Sequence, residues 1–362
     1  MREAAKIALV QLIILLGGLV VFELMLKLFA PLPVPGGEYH DRAGQAVHVA
    51  LDQDTLRPNL DVIHSASEFS ASVHTDERGY RKMSRESTAP EFLFLGDSFT
   101  FGHGVSDSEV ASEIFCRARD ATCLNLGRPG TDTFDQLRIL RHAIDAQQIR
   151  PRTVVVIMLA ACWLRLAGND LGDNLTDYRN GARGERDAGQ RMNARRALSI
   201  ATVLRADVFP SAGDIAKTLQ GWLAGFEVAK RLMLLVSGQL KSDLYSCSDK
   251  SQLDAAADAT RVALNGLVRL SDDHGFKLKL FVVHPYQELT GTFRITEAIV
   301  ARALPKAIAC YATAAQFRKD DYYLYDGHFN PSGQAKLASI LDRALKGDAS
   351  EQRQSGVCDT VP

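Results

Sequence analysis

The sequence predicts an α/β protein: a three-layer α/β/α sandwich on a mostly parallel sheet, preceded by one N-terminal transmembrane helix. Three observations carry this reading. Short apolar runs alternate with amphipathic helical stretches from Phe92 to Leu345. The run Phe92-Leu93-Phe94-Leu95, fit for a buried strand, stops abruptly at Gly96-Asp97-Ser98. Near the N-terminus, Ile7–Phe22 is apolar apart from Gln11, and Leu24–Ala30 continues it after Glu23 with Lys27 interrupting.

The N-terminal stretches together approach the roughly 20 residues needed to cross a bilayer. Glu23 and Lys27 lie four apart on one helical face, where they pair or reach toward headgroups. Pro31, Pro33, Pro35, Gly36 and Gly37 end the helix. Arg2 and Lys6 precede the apolar run, so the positive-inside rule puts the N-terminus in the cytoplasm. The main domain is then extracytoplasmic, and periplasmic in a Gram-negative bacterium. No small-x-small cleavage site follows, which favours an anchor over a cleaved signal peptide. The chain divides into an anchor and Pro-rich linker (1–35), a β-rich arm (36–90), an α/β domain (91–346) with a helical insertion at about 175–250, and a tail (347–362).

The arm alternates polar and apolar residues in stretches such as Glu68–His74. In the domain, strand Phe92–Leu95 precedes a helix opening at the capping box Ser106-x-x-Glu109. Strand Cys123–Leu126 leads to a helix near Thr133–Gln148, with Phe134, Leu137, Leu140 and Ile144 on one face. Pro151 ends that connection before strand Val154–Leu159. A helix near Leu253–Asp273 feeds strand Leu278–Val283, and Asn330-Pro331 caps a last helix carrying Leu337, Ile340, Leu341 and Leu345. Such alternation implies a parallel sheet with right-handed crossovers and helices on both faces. The insertion breaks the rhythm: Arg179, Arg183, Arg186, Arg191, Arg195 and Arg196 crowd a polar stretch, read as a solvated face ahead of a lid or anionic-glycan contact.

A net charge of -1 and a pI near 6.8 argue against a nucleic-acid partner. Six cysteines suit an oxidising compartment; Cys116 and Cys123 flank a helix-to-strand turn and either pair locally or stay free and buried. No Cys or His cluster has metal-ligand spacing, so neither metal nor cofactor is expected.

A strand end in an α/β domain is where substrates reach a nucleophile. Ser98 sits at such an end, and a serine needs a base and an orienter to react. Tyr325-Asp326-Gly327-His328-Phe329-Asn330 offers both: His328 to take the proton, Asp326 to fix its tautomer. Asp97 is read as holding its loop by local hydrogen bonds. His284-Pro285-Tyr286, just past a strand, is read as structural or pocket-lining.

With Gly96-Asp97-Ser98-Phe99 and Asp326-Gly327-His328 in place, the chain resembles the SGNH/GDSL hydrolase superfamily, whose flavodoxin-like sandwich matches the predicted fold. The resemblance spans about Phe92–Leu345, with an unmatched stretch in the middle. It implies Ser98 as nucleophile, with Asp326 and His328 as the terminal pair. Within Asn125-Leu126-Gly127-Arg128-Pro129-Gly130 it implies Gly130 as the oxyanion glycine, and in Gly168-Asn169-Asp170 it implies Asn169 as the side-chain donor. The Ser98, Gly130 and Asn169 donors would together form the oxyanion hole. Eight residues, Ala160–Ala167, separate the third strand from that last block, more than the pattern expects, so Asn174 is the alternative donor. Thr75-Asp76-Glu77-Arg78-Gly79-Tyr80-Arg81 resembles a motif ahead of the catalytic domain in membrane-anchored relatives. The Asp-x-His spacing resembles membrane-linked, polysaccharide-modifying branches. The expected activity is an anchored serine esterase on O-acyl groups of a small molecule or cell-surface glycan, with envelope polysaccharide machinery as partner. An O-acyltransferase with the same triad, and an inactive scaffold or glycan-binding subunit, are the alternatives.

Overall fold

The computed structural model describes residues 2–29, 37–52, 55–66, 68–159, 250–289, 295–324, 326–346 and 358–360. The chain forms two compact units, Met1–Val34 with Thr176–Lys241 and Pro35–Leu175 with Ser242–Pro362. In the first, helix α1 (Arg2–Phe29) is described. Its segment Val10–Phe29, 20 residues of mean hydropathy 2.4, is long and apolar enough to cross a membrane, reaching ~30 Å at 1.5 Å per residue. Lys27 pairs with Glu23 across one turn at 3.7 Å. The predicted linker, the arginine cluster and the remainder of the predicted insertion before Lys250 lie outside the described residues.

The second unit opens with an antiparallel sheet of β1 (Glu38–His40), β2 (Asp61–Ser65) and β3 (Ser70–His74). Ala71 and Val73 of β3 are buried while their neighbours face outward, the period-two pattern of a half-covered strand. Strand β4 (Phe92–Gly96) then begins the main sheet, followed by a single turn α2 (Ser98–Phe101) and helix α3 (Ala111–Arg119). β5 (Cys123–Asn125), α4 (Thr133–Asp145), β6 (Thr153–Leu159), α5 (Lys250–His274) and β7 (Lys277–Val283) continue the alternation. α6 (Tyr286–Leu289), α7 (Ile295–Ala303), β8 (Ala309–Ala312), α8 (Pro331–Lys346) and β9 (Asp359–Thr360) complete it.

The main sheet runs β5-β4-β6-β7-β8-β9, every neighbouring pair parallel. Its strand order is flavodoxin-like, with the order reversing beside β4. Alternate strand residues feed opposite faces. Phe94, Val155, Ile157, Phe281 and Val283 share one core with Phe115 of α3 and Leu337, Ile340 and Leu341 of α8. Their neighbours Leu93, Leu95, Val154, Val156, Leu280 and Val282 are equally buried and point to the other face. There α4 packs on α5, and α5 on α7. The result is the expected α/β/α sandwich.

Several boundaries differ from the sequence reading. The Ser106–Glu109 capping box forms, yet it closes a 3-10 turn at Asp107–Glu109, because Val110 is extended and α3 starts only at Ala111. The first N–H of α3 is satisfied from afar: buried Gln334 of α8 accepts from Ala111 N at 2.9 Å and donates to Phe99 O at 3.1 Å. α4 stops at Asp145, short of Gln148, which is left-handed at φ 56°. The tail supplies β9, held beside β8 by the Cys310–Cys358 disulfide. Cys116 and Cys123 pair, closing the turn from α3 to β5.

The arm's sheet is pinned to the sandwich by one buried cation. Asp76 Oδ1 accepts from Arg78 N (2.9 Å) and Tyr80 N (2.8 Å), and Gly79 at φ 84° fits against Leu56 O where a Cβ would come within 2.1 Å. That turn delivers Arg81 inward. Its Nε donates to Asp107 Oδ1 at 2.8 Å, its Nη2 to Val105 O at 2.9 Å, and its guanidinium lies 4.8 Å from the Phe101 ring centre. Asp107 also meets His74 Nδ1 of β3 at 2.5 Å. Arg81→Met keeps the bulk and strips the charge, and is expected to cost about 2–3 kcal/mol, less than a fully buried pair because Asp107 retains some water and His74. Urea unfolding measures this; a loss under about 0.5 kcal/mol would mean that His74 alone satisfies Asp107.

Candidate active site

Two carboxyl-terminal strand ends, of β4 and β5, meet the loop before α8 at the site. Strand β4 reaches it through Gly96, where a Cβ would sit 2.0 Å from Thr100 Oγ1 and 2.4 Å from Ile157 O. Only glycine fits that passage. Asp97 caps α2, its Oδ1 accepting from Phe99 N at 2.8 Å. Gly102, at φ 81°, ends the turn and returns its N–H to Ser98 O at 3.1 Å. The strand's straight run is thus folded sharply back, leaving Ser98 half-buried at the sheet's edge.

The loop before α8 meets it. His328 Nε2 lies 2.7 Å from Ser98 Oγ, and His328 Nδ1 lies 2.5 Å from Asp326 Oδ1. Gly327 at φ 87° makes the tight turn between Asp326 and His328. Tyr323 N donates to His328 O at 2.8 Å, and Gly327 N to Tyr323 O at 3.1 Å. Phe329 is fully buried in the core, and Asn330 Oδ1 accepts from Gly333 N at 3.0 Å as the cap of α8. His328 is therefore held between a core anchor and a helix start.

Asp326 is nearly sealed from water. Burial raises its pKa, but hydrogen bonding and charge from His103 and His328 more than reverse this and hold it well below the usual carboxylate range. Asp97 behaves oppositely: burial pushes it up to about 6, against the Phe99 N–H and the charge of His328. Glu68 of the arm accepts from both Leu324 N (2.7 Å) and Asp326 N (2.8 Å), fixing the backbone that carries the acid. His103 is buried, its ring stacked on His328 with centres 4.2 Å apart and planes 29° from parallel.

The Asn125–Gly130 block also arrives. Asn125 is fully buried, donating to Thr100 O (2.8 Å) and Ser112 Oγ (2.9 Å) and accepting from Gly127 N (2.8 Å). Arg128 N bonds Gly96 O at 3.0 Å, drawing this loop to the end of β4. Gly130 is exposed at φ 76°, and a Cβ placed on it would meet nothing within 4 Å. Asn169 and Asn174 lie outside the described residues.

Among the described residues, one group has metal-ligand chemistry: His103, Asp326 and His328, with ligand atoms within 4.8 Å of one another. The two rings are stacked, so their in-plane lone pairs run side by side instead of converging on one ion. Both His328 nitrogens are also engaged. A proton relay suits this arrangement better than a metal centre. His284 is buried against the core, its pKa lowered to about 4 by burial, and its carbonyl accepts from Tyr322 Oη at 3.0 Å. It is structural.

The chain is similar to two solved structures, each at 12% identity and a TM-score of 0.34. One is a protein described as lipolytic and of the G-D-S-L family from Desulfitobacterium hafniense, with 70% of this chain and 98% of that one covered. The other is described as a platelet activating factor from Streptococcus pneumoniae, with 71% and 84% covered. No family model and no curated protein matches the chain.

Sequence reasoning did not place two groups that contact Asp326 and its loop, Glu68 and His103. Glu68 acts through backbone N–H groups more than 250 residues away, which no local pattern marks. For His103 a signal existed: it lies between Gly102 and Gly104, both at positive φ, five residues past Ser98.

Asp97 generates a pH prediction. Its pKa is raised from 3.8 to about 6 on folding, so its contribution to stability is full below the unfolded value and lost as pH rises through about 6. Asp97→Asn keeps an acceptor for Phe99 N and removes the titration. Relative to wild type, its stability should improve between pH 4 and pH 7 by on the order of 2–3 kcal/mol. Parallel pH profiles of the two unfolding free energies would show no such divergence if Asp97 ionises freely.

Proposed function

We propose that this chain is a membrane-anchored serine esterase of the SGNH/GDSL type, cleaving carboxylic esters through an acyl-enzyme. The observation that carries it is the continuous contact Ser98 Oγ–His328 Nε2–Asp326 Oδ1, 2.7 and 2.5 Å, at the carboxyl end of β4. His328 takes the hydroxyl proton as Ser98 attacks the acyl carbon, then returns it to the leaving alkoxide. Water then attacks the acyl carbon with His328 again as base, and the proton passes to Ser98 Oγ as its bond to the acyl group breaks and the acid leaves. Asp326, held ionised, stabilises the imidazolium formed in each step. The N–H groups of Ser98 and Gly130 and the amide of Asn169 are assigned to the developing oxyanion.

Helix α1 supplies the anchor, with Arg2 and Lys6 on the cytoplasmic side and the catalytic unit outside. The Cys116–Cys123 and Cys310–Cys358 disulfides support an oxidising, extracytoplasmic location. Acylated cell-surface glycans are the substrate class that suits this placement. An O-acyltransferase shares every step to the acyl-enzyme and differs in passing the acyl group to a sugar hydroxyl instead of water.

Ser98→Ala is expected to lower acyl-ester turnover by at least about three decades and abolish labelling by a serine-directed phosphonate. His328→Ala should approach that loss, and Asp326→Asn should cost less, since oxyanion donors and binding persist. A panel of acyl esters, assayed with and without a sugar acceptor, separates esterase from transferase by whether free acid or acylated sugar accumulates. Labelling that survives in Ser98→Ala would remove the assignment. Deleting residues 1–30 should yield a soluble protein that keeps wild-type turnover; an inactive or insoluble product would make α1 part of the catalytic unit's core.

A further inference from the structure

The contact between Ser98, His328 and Asp326 leaves one oxygen of Asp326 without a catalytic duty, and a second histidine faces it. His103 Nε2 lies 3.4 Å from Asp326 Oδ2, while Oδ1 takes His328. The contact is close but off the line of a well-formed hydrogen bond. The position is built from both sides. His103 N donates to Ser98 O at 3.0 Å, tying it to the nucleophile's own backbone. Its ring is closed in by the arm, with His64 edge-on at 4.4 Å and Phe69 at 5.6 Å. Tyr39 stacks on His64 in turn at 4.1 Å.

We infer that His103 is a positioning residue: it orients Asp326 through Oδ2 and backs the His328 ring, keeping Nε2 aimed at Ser98. This rests on the triad reading. The group works as a neutral imidazole with a proton on Nε2. Burial lowers its pKa, opposed by Asp326 and assisted by the charges of His328 and Arg81. A second cation stacked on the forming imidazolium would oppose catalysis, so neutrality is required. Other charged or titratable groups around the pair are Tyr39, His64, Glu68, Asp97 and Tyr323. With its Nε2–H toward Oδ2, His103 draws charge from Asp326 and so weakens the carboxylate's grip on a protonated His328. Its removal strengthens that grip.

The test uses the full chain in detergent, carrying His103→Phe, which keeps a ring and loses the donor, or His103→Gln, which keeps a donor and loses the ring. Histidine labelled at Cε1 reports the His328 titration by NMR, assigned by its disappearance in His328→Gln. His103→Phe should move the His328 midpoint upward by about half a pH unit or more, and lower kcat roughly tenfold with KM within about twofold. His103→Gln should hold the midpoint near wild type. Coincident midpoints in all three proteins overturn the inference, as does an equal loss of kcat and thermal stability in both variants without a shift. If the wild type hydrolyses no ester and takes no phosphonate, the esterase reading fails, while the NMR midpoints still decide the role of His103.

Discussion

A carboxylate withdrawn from water stays charged only where other groups replace its solvent, and Asp326 sets that demand on everything around it. Burial alone would neutralise the acid and leave nothing to stabilise an imidazolium. Histidine contacts on both oxygens reverse the effect. Those contacts need a fixed backbone. The Gly327 turn, the Tyr323–His328 hydrogen bond, the bond from Tyr323 Oη to Gly104 O and the core anchor Phe329 supply part of it. The arm adds Glu68, which accepts from Leu324 N and Asp326 N.

The arm is therefore bound into the site as well as into the fold. Glu68 sits just before β3, and β3 is fastened by His74 to Asp107, which Arg81 also holds. Any slip of that strand would carry Glu68 away from the Leu324 and Asp326 N–H groups, leaving two loop donors unpaired. A second line of contact runs from Tyr39 through His64 and His103 to His328, ring against ring. Together they couple a short antiparallel sheet to the geometry of the base, so arm mutations far from Ser98 in sequence should register in catalysis.

The sandwich and the contact of Ser98, His328 and Asp326 were legible because both have local signatures. Strand β4 is a continuous apolar run of the kind that a two-sided sheet requires, and its end at Gly96-Asp97-Ser98 is an abrupt change of character. Asn330-Pro331 marks a helix start, which located His328 in a braced loop. What was not legible depends on distant partners. The Ser106 box looked like a helix start because its chemistry is the same for a 3-10 turn, and the true cap of α3 comes from Gln334. No strand was read in the tail because a two-residue strand has no periodicity, and the Cys310–Cys358 bond that places it links positions far apart in sequence. Glu68 and His103 were hidden for the same reason: their significance lies in what they touch.

Two aspartates flank the reacting groups, and their opposite behaviour follows from their partners alone. Asp97 has one backbone N–H from Phe99 and little else nearby to replace water, so burial dominates and its pKa rises to about 6. Asp326 is comparably shielded but faces two imidazoles, and its pKa falls. Environments that push two like groups apart assign their roles. Near neutral pH Asp326 is a firm anion in contact with His328, whereas Asp97 remains close to its own titration. The Asp326 charge therefore lies on the Nδ1 side of the His328 ring, opposite the Nε2 that faces Ser98 Oγ. In the proposed acyl-enzyme cycle, that asymmetry favours a base which holds its proton on Nδ1 and releases the one it borrows at Nε2.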